Sequence, residues 1–237
     1  TAVRDADVIV LATPIGAMER YIRLLEEYLR ELPAVAPLVT DIGSTKADVL
    51  SWVREYGIRR LCRCFVGSHP LCGSEKQGAR YATAGLYEGA MCVVVPLTTP
   101  DQSPELSARI ATFWQSVGCR TAIVAEAEHD RILACTSHVP HVLAFAYARS
   151  VDKRFFPFTA GSFRDLTRLS RSSPAVWADI FSSNRERVLE ALESFERSLQ
   201  ELKSHIGHTA DGNGRDALYA YLQQIVQFME QHNGHSD

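Results

Sequence analysis

The chain has 237 residues, enough to bury a sizeable core as one large domain or two modest ones. Hydrophobic residues make up 46% of the sequence and charged residues 22%, as in ordinary globular proteins. A net charge of −3 gives no electrostatic reason to expect nucleic acid or an anionic membrane as a partner. No apolar run approaches the roughly 18 residues that a membrane span requires.

The six cysteines are expected to be reduced, which favours a cytoplasmic location. A chain of this length does not need disulfides for stability, and it contains no CxxC pair. Zinc bound through Cys62 and Cys64 is the alternative interpretation. It is disfavoured because the spacing is wrong for a zinc knuckle and alternation within an apolar strand explains the pattern. No metal site is expected.

Up to about residue 125, short apolar segments alternate with helical patterns. The alternation predicts a parallel sheet flanked by helices, and we assign residues 1–126 to this α/β domain. Helical patterns follow the first strand, follow Ser44 and precede the last strand. The predicted strands are Val8–Ala12, Pro37–Asp41, Leu61–Val66, Met91–Pro96 and Thr121–Ala125.

Beyond this boundary the strands stop, and residues 127–237 are predicted to be helical. The segment Glu128–Arg149 is typical of one mostly buried helix, interrupted near Pro140. A long amphipathic helix is predicted after Pro174, followed by the linker Asp211–Gly214 and a last helix. The apolar seams are longer than one small bundle needs, so we expect a homodimer formed through this domain.

Two predicted strands end in polar segments. Thr13 and Pro14 follow the first strand, at the kind of position where ligands bind in doubly wound sheets, although a plain turn is the alternative. Ser44 lies after the second strand and at the start of a helix. Its hydroxyl either caps that helix or faces a ligand.

The loop Gly67–Gly78 is the most specific segment of the sequence. His69 precedes Pro70, which keeps the backbone of the histidine out of the helical region. The glycines of the loop allow it to fold tightly around a ligand. This setting at a strand end favours a catalytic role for His69 over that of a solvated loop histidine.

Further along the chain are two pairs of residues, and the members of each pair are three positions apart. His138 and His141 share one helix face, either as core histidines or as metal ligands. A metal is disfavoured because His129 is too remote along the helix to be a persuasive third ligand. Asp165 and Arg168 form either a surface ion pair or a clamp in which Asp165 orients the guanidinium toward a carboxylate.

Taken together, the loop GSHPLCGSEKQG, the helix SHVPH and the segment GSFRDLTR with the downstream Trp177 resemble the prephenate/arogenate dehydrogenase family. The resemblance runs from about Ala6 to about Ser204. It implies an α/β fold with an incomplete Rossmann-like parallel sheet, followed by an all-α dimerisation and substrate domain. It also implies oxidative decarboxylation of prephenate to 4-hydroxyphenylpyruvate, or of arogenate to tyrosine, with hydride transfer to NAD or NADP.

The resemblance also implies roles near the reacting carbon. His69 matches the catalytic histidine, which accepts a hydrogen bond from the ring 4-hydroxyl while hydride leaves that carbon. A neutral imidazole suits this task near pH 7. Ser44 matches a serine near that histidine and the nicotinamide, and with Thr13 and Pro14 it is expected to contact the cofactor.

Other residues are matched to the substrate pocket. His141 and Arg168 match residues that hold the substrate carboxylates, and an arginine stays charged throughout the working pH range. Ser74 and Glu75 match polar residues of the pocket, and Trp177 matches an aromatic residue that closes it. Two further residues are expected to support the groups that contact the substrate without contacting it themselves: His138 and Asp165.

The beginning of the family pattern is not in the sequence. No GxGxxG precedes Val8 or occurs elsewhere. The first three strands of the family, with the pyrophosphate turn and the residue that selects NAD or NADP, are therefore missing. We expect a truncated form of a complete enzyme, because a naturally shortened chain leaves an edge strand exposed. The choice between NAD and NADP stays open, with NAD favoured.

Two other interpretations differ in what they require. Another β-hydroxyacid-type dehydrogenase predicts a catalytic lysine in the helical domain, yet no lysine lies between Lys76 and Lys153. A non-catalytic ligand-binding or dimerisation module keeps Arg168 and His141 but does not need His69. Between the two substrates, prephenate is favoured on family frequency.

Overall fold

The computed structural model describes residues 3–31, 36–57, 60–73, 79–99, 102–210 and 213–232. The chain divides into two compact units, Thr1–Val188 and Leu189–Asp237. The first unit contains the strands and the shorter helices, and the second contains most of the two last helices. An α/β part followed by helices confirms the predicted fold class.

The sheet is mixed, whereas the sequence predicts a parallel one. Its first two strands are parallel, the third pairs antiparallel with the fourth, and the fourth is parallel to the fifth. A parallel bridge between Val39 and Phe65 joins the first pair to the other three. The strands are β1 (Val8–Leu11), β2 (Leu38–Asp41), β3 (Val66–Pro70), β4 (Met91–Pro96) and β5 (Arg120–Ile123).

The antiparallel pair matches the connection between its strands. A parallel crossover usually runs through a helix. The described part of the connection from β3 to β4 contains only the 3-10 turn Ala79–Tyr81 and irregular turns. The chain therefore returns beside β3 in the opposite direction.

Three helices cover the sheet: α1 (Ile15–Arg30), α2 (Ala47–Tyr56) and α3 (Pro104–Ser116). The predicted apolar stripe of α1 is buried in one core with α2. On α3, the apolar positions pack in a second core around Trp114, whose indole Nε1–H donates to Ser68 Oγ over 2.8 Å. The core therefore lies on both faces of the sheet, as expected for strands of mostly apolar composition.

The prediction of a strand at Leu61–Val66 is wrong in its first part. Residues Leu61–Arg63 form a 3-10 turn, and the strand begins at Val66. The buried carboxylate of Glu26 accepts the Leu61 N–H over 2.9 Å, which takes this donor out of any ladder. The segment is thus buried by turn contacts rather than by strand pairing. All six cysteines lie in the described part of the chain, and no two of them are joined by a disulfide.

The second half of the first unit is helical. The predicted helix Glu128–Arg149 is divided into α4 (Glu126–Leu133), a π-helical segment (Ala134–His138) and α5 (Val139–Ser150). The interruption lies just before the predicted position at Pro140. Proline has no N–H for the preceding turn, and a π-helical segment is one way in which a helix accommodates a local irregularity.

The long helix predicted after Pro174 is also divided. After α6 (Gly161–Thr167), the chain forms α7 (Pro174–Ser183) and α8 (Arg185–Gly207), which are separated at Asn184. The Asn184 side-chain amide donates to the carbonyl of Asp130 over 2.8 Å, so this break is fixed by a buried contact.

The second unit contains most of α8 and the last helix, α9 (Gly214–His232). Both helices carry large apolar side chains that are exposed. No helix in the described ranges is long and apolar enough to cross a membrane. The exposed apolar residues include Leu189, Leu199, Ile206, Tyr219, Leu222, Ile225, Val226, Phe228 and Met229.

Candidate active site

The carboxyl ends of β1, β2 and β3 lie at one edge of the sheet. Leu11 is paired with Asp41 in the parallel register of β1 and β2. The parallel bridge from β2 to Phe65 orients β3 in the same direction. The segments that follow β1 and β2 and the end of β3, which carries His69, therefore lie side by side. This is the edge at which open α/β sheets bind ligands.

A buried ion pair stabilises this edge. Lys46 Nζ lies 2.6 Å from Asp41 Oδ2 and donates to the carbonyl of Gly43 over 2.8 Å, and both charged side chains are fully buried. The other oxygen of Asp41 accepts the Ser68 N–H over 3.2 Å, which links β2 to β3. A Cβ on Gly43 would come within 2.9 Å of the Asp41 carboxylate, so the close packing here requires glycine. Sequence reasoning did not assign this pair.

Helix α2 is capped by a residue from the helical half of the unit. The backbone N–H groups of Lys46 and Ala47 donate to the two carboxylate oxygens of Asp130 over 2.8 and 2.9 Å. The cap position of the helix is Lys46, and its own side chain makes no capping bond. Ser44 is half-buried two residues earlier and does not cap the helix, which excludes the first of its two predicted roles.

His69 contacts the same carboxylate through a second histidine. His69 Nδ1 lies 3.1 Å from His129 Nε2, and His129 Nδ1 lies 2.6 Å from Asp130 Oδ1. His129 is fully buried on α4. Sequence reasoning considered His129 only as a metal ligand. The available signal was the adjacent His-Asp pair itself, but nothing in the sequence places it beside His69.

The electrostatic environment keeps these histidines neutral near pH 7. Burial, followed by the nearby charge of Lys46 and by His129 and His138, holds the pKa of His69 well below its usual value of 6.5. Burial lowers the pKa of His138 to about 4. Burial also lowers the pKa of His129, although the hydrogen bond with Asp130 opposes the shift.

The two histidines of the α5 region face different surroundings. The ring of His141 stacks on Trp177, with centroids 3.5 Å apart and an interplanar angle of 22°. His141 Nδ1 is 2.9 Å from the carbonyl of Ser137, to which it donates. His138 is buried edge-on against Trp177 and accepts from the Asn184 side-chain amide over 3.1 Å. His138 thus packs against Trp177, one of the two rings of the His141–Trp177 stack.

A cavity of about 890 Å³ brings four of the predicted site residues together: His69, His141, Arg168 and Trp177. Arg171 also lines it. Among the described residues that line the cavity there is no carboxylate, so its charged groups are the two guanidiniums. Both arginines are exposed. Such a cavity is suited to an anionic ligand.

Other predicted residues lie elsewhere. Asp165 is exposed, does not line the cavity and forms no ion pair with Arg168. The predicted clamp is therefore not present, because α6 ends at Thr167 and Arg168 begins a 3-10 turn, which breaks the helical spacing on which the prediction relied. Ser74 and Glu75 lie outside the described residues.

Thr13 carries an unsatisfied polar atom at the sheet edge. Its hydroxyl oxygen is buried and has no hydrogen-bond partner. Pro14 directly precedes α1 and occupies its cap position. In the part of the chain that the structure describes, no group of three or more His, Cys, Asp or Glu residues is arranged to hold a metal ion.

Comparison with known proteins shows which family has this architecture. The nucleotide-binding domain of prephenate dehydrogenase matches residues 1–123, and the dimerization domain of prephenate dehydrogenase matches residues 125–224. A cyclohexadienyl dehydrogenase from Zymomonas mobilis is 31% identical over 220 residues, which cover 90% of this chain and 71% of that protein. A prephenate dehydrogenase from Bacillus subtilis is 28% identical over 236 residues, which cover 97% of this chain and 61% of that protein.

Solved structures agree with these matches. Prephenate dehydrogenase from Aquifex aeolicus, in complex with hydroxyphenyl propionate and NAD+, is 30% identical with a TM-score of 0.79, over 94% of this chain and 76% of that one. The arogenate dehydrogenase of Synechocystis, at 23% identity and a TM-score of 0.80, shares the fold over 98% of this chain and 81% of that one.

A nucleotide-binding α/β domain followed by a helical domain, with a cavity beside the carboxyl edge of the sheet, defines an NAD(P)-dependent oxidoreductase. Both domains of this chain match the same family, along almost the whole sequence. The chain belongs to the prephenate dehydrogenase family. The reaction of that family is the oxidative decarboxylation of prephenate or arogenate.

Proposed function

We propose that the protein oxidises and decarboxylates prephenate, with NAD as the hydride acceptor. The observation that carries the proposal is a cavity in which the neutral imidazole of His69 lies together with the guanidiniums of Arg168 and Arg171. Prephenate carries two carboxylates, which need cationic partners when they leave water. We favour prephenate over arogenate, which carries an ammonium in place of the keto group, because the Aquifex aeolicus and Bacillus subtilis relatives are prephenate dehydrogenases.

His69 is the base in this proposal. Because its pKa is well below 6.5, chiefly through burial, the imidazole is unprotonated near pH 7 and able to accept a proton. It takes the proton of the substrate C4 hydroxyl as that carbon becomes a carbonyl. The bound nicotinamide supplies the acceptor for the hydride from C4. Loss of the ring carboxylate as CO2 is driven by aromatisation of the ring.

The opposite wall binds the substrate. Arg168 holds one carboxylate by paired hydrogen bonds, the geometry for which a guanidinium is suited. His141 contributes a second polar contact, with a ring orientation fixed by the stack on Trp177 and by its bond to Ser137. His138 supports this pair from beneath. The proposed contributions of Ser74 and Glu75 remain those predicted from the sequence, whereas Asp165 makes no ion pair with Arg168.

The residues at the carboxyl edge of the sheet support the proposed position of the cofactor. The buried and unpartnered hydroxyl of Thr13 fits an additional polar partner at this point. Pro14 and the half-buried Ser44 emerge from neighbouring strands at the same edge. We favour NAD over NADP because the Aquifex aeolicus relative was solved with NAD+.

We further propose a homodimer, with a boundary between the two functional domains at residues 126 and 127. The family matches end at residue 123 and resume at residue 125, and the second is named as a dimerization domain. The exposed apolar side chains of α8 and α9 are suited to burial against a second copy. Sedimentation equilibrium should give twice the monomer mass, and a monomer at micromolar concentration would contradict the proposal.

A rate assay tests the function directly. The full-length form of the enzyme is offered prephenate and arogenate, each with NAD and with NADP, beside a His69→Asn variant. We expect prephenate with NAD to give the highest kcat/KM, and the variant to lose on the order of 10²- to 10⁴-fold in kcat. Binding of prephenate without turnover by the unmodified protein would favour a ligand-binding module instead. Variant turnover equal to that of the unmodified protein would exclude His69 as the base.

A further inference from the structure

A continuous series of buried hydrogen bonds connects the first turn of α2 to His69. It starts at the backbone N–H groups of Lys46 and Ala47, passes through the carboxylate of Asp130, and reaches His69 through the ring of His129. His129 is fully buried and Asp130 is 6% exposed. Each contact in the series lies between 2.6 and 3.1 Å, so every polar atom along it has a defined partner.

The charge of the Asp130 carboxylate determines which ring nitrogens of His129 and His69 carry a proton. An ionised carboxylate only accepts hydrogen bonds, so His129 must donate to Asp130 from Nδ1. A neutral imidazole has one N–H, so His129 Nε2 must accept. Its partner, His69 Nδ1, must then donate. In neutral His69 the remaining nitrogen, Nε2, carries the lone pair.

The surroundings favour an ionised Asp130 and a neutral His69. Burial alone would raise the pKa of Asp130, but hydrogen bonds from His129 and from the amides of Ala47 and Lys46 outweigh it and the pKa is lowered. The positive end of the α2 helix dipole also favours a carboxylate there. Lys46 and His138 face His69 and disfavour its protonation, as burial does.

We propose that His129 and Asp130 are positioning residues that hold His69 in the tautomer with its proton on Nδ1, so that Nε2 is the basic nitrogen offered to the substrate. This deepens the proposed function and rests on it. The O–H bond of the substrate C4 hydroxyl breaks, and an N–H bond forms at His69 Nε2. No proton moves along the series. The imidazolium keeps its Nδ1–H bond to His129, and the negative charge of Asp130 stabilises it through the intervening ring.

The proposal predicts different effects for two substitutions. Asp130 Oδ1 accepts both the Lys46 N–H and the His129 Nδ1–H, and Oδ2 accepts the Ala47 N–H. In Asp130→Asn, the carboxamide oxygen therefore takes the place of Oδ1 and keeps the tautomers, while the negative charge is lost. His129→Phe removes the acceptor of the His69 Nδ1–H, so the proton of His69 is no longer held on Nδ1.

The first experiment reads this tautomer without substrate or cofactor. Two-bond ¹H–¹⁵N correlation spectra of histidine-labelled protein near pH 7 distinguish a protonated ring nitrogen from an unprotonated one, and the signals that vanish in His69→Asn identify His69. We expect protonated Nδ1 and unprotonated Nε2 in the unmodified protein. We expect the same pattern in Asp130→Asn, and in His129→Phe we expect the His69 proton to move at least in part to Nε2. The matched control is Glu128→Gln, which makes the same change at an exposed position on the same helix.

The second experiment is kinetic. Asp130→Asn should lower kcat for prephenate oxidation by on the order of 10- to 10²-fold, because the negative charge that stabilises the imidazolium is lost, with the KM for prephenate changed by about threefold at most. His129→Gln presents an oxygen to His69 and an NH2 group to Asp130, so it should retain more activity than His129→Phe. Glu128→Gln should match the unmodified protein.

These results separate a positioning role from a purely structural one. A structural role predicts lower thermal stability with an unchanged His69 tautomer in His129→Phe, and that outcome would overturn the proposal. So would protonated Nε2 on His69 in the unmodified protein, or His129→Phe as active as His129→Gln. If the tautomers are as expected but His69→Asn retains full turnover, the positioning stands and the assignment of His69 as the base fails.

Discussion

The two walls of the cavity are built differently. The wall that carries His69 is buried, and its polar groups are hydrogen-bonded to one another through His129 and Asp130. The wall that carries Arg168 and Arg171 is exposed, and neither arginine forms an ion pair with another described residue. The first wall is therefore preorganised, and the second presents charges that remain available to a ligand.

The difference has a physical cause. A buried polar group that lacks a partner costs free energy, so the His69 wall is stable only when all of its groups are satisfied. An exposed guanidinium is solvated and needs no protein partner until a carboxylate displaces the water. Substitutions in the first wall should therefore affect stability and kcat, and substitutions in the second should affect KM.

The largest effect is expected for Lys46→Met. It removes the partner of a fully buried carboxylate, Asp41, and should lower the free energy of unfolding by about 3–5 kcal/mol. Urea denaturation followed by circular dichroism measures the loss. The control Arg154→Met breaks an exposed ion pair with Asp152 and should leave the midpoint nearly unchanged. Equal losses in the two variants would contradict the distinction between buried and exposed ion pairs.

Acid should destabilise the protein through the buried His138. Its pKa is about 4 in the folded protein and near 6.5 in the unfolded chain, so the unfolded state binds more protons between these values. Stability is then full above about pH 6.5 and falls by about 1.4 kcal/mol per pH unit toward pH 4 from this residue. Urea titrations at several pH values measure the slope, which His138→Gln should reduce. An unchanged slope in that variant would exclude His138 as the source.

On the exposed wall, Arg168→Met should act on binding. Loss of charge-assisted hydrogen bonds to a substrate carboxylate should lower kcat/KM by about 10- to 100-fold, mostly through KM. Steady-state rates with prephenate measure this change. Arg164→Met is the matched control, because Arg164 is exposed and does not line the cavity. A fall in kcat alone would place Arg168 in the chemical step instead.

The smallest effect is expected for Asp165→Asn. Because Asp165 forms no ion pair with Arg168 in the structure, the KM for prephenate should change by about twofold at most. Steady-state rates provide the measurement. A rise in KM as large as that of Arg168→Met would show that the two residues act together when substrate is bound.

Much of the fold could be predicted from the sequence, because it depends on local patterns. The apolar spacing of α1 and the short runs of β1, β2, β4 and β5 are properties of neighbouring residues. The segment at Leu61 was mistaken for a strand, because a short apolar run does not reveal whether turn contacts or strand pairing bury it.

The sequence by itself determined the fold class, the family and the four residues that meet in the cavity, since these depend on motifs whose members lie close along the chain. Only the tertiary structure decided the contacts between elements. His129 reaches His69 across 60 positions, and Asp130 caps α2 across 84, because packing of α4 against the sheet edge brings them there. Burial lowers the pKa of His69 and of His138. Burial is a property of the whole fold rather than of any segment.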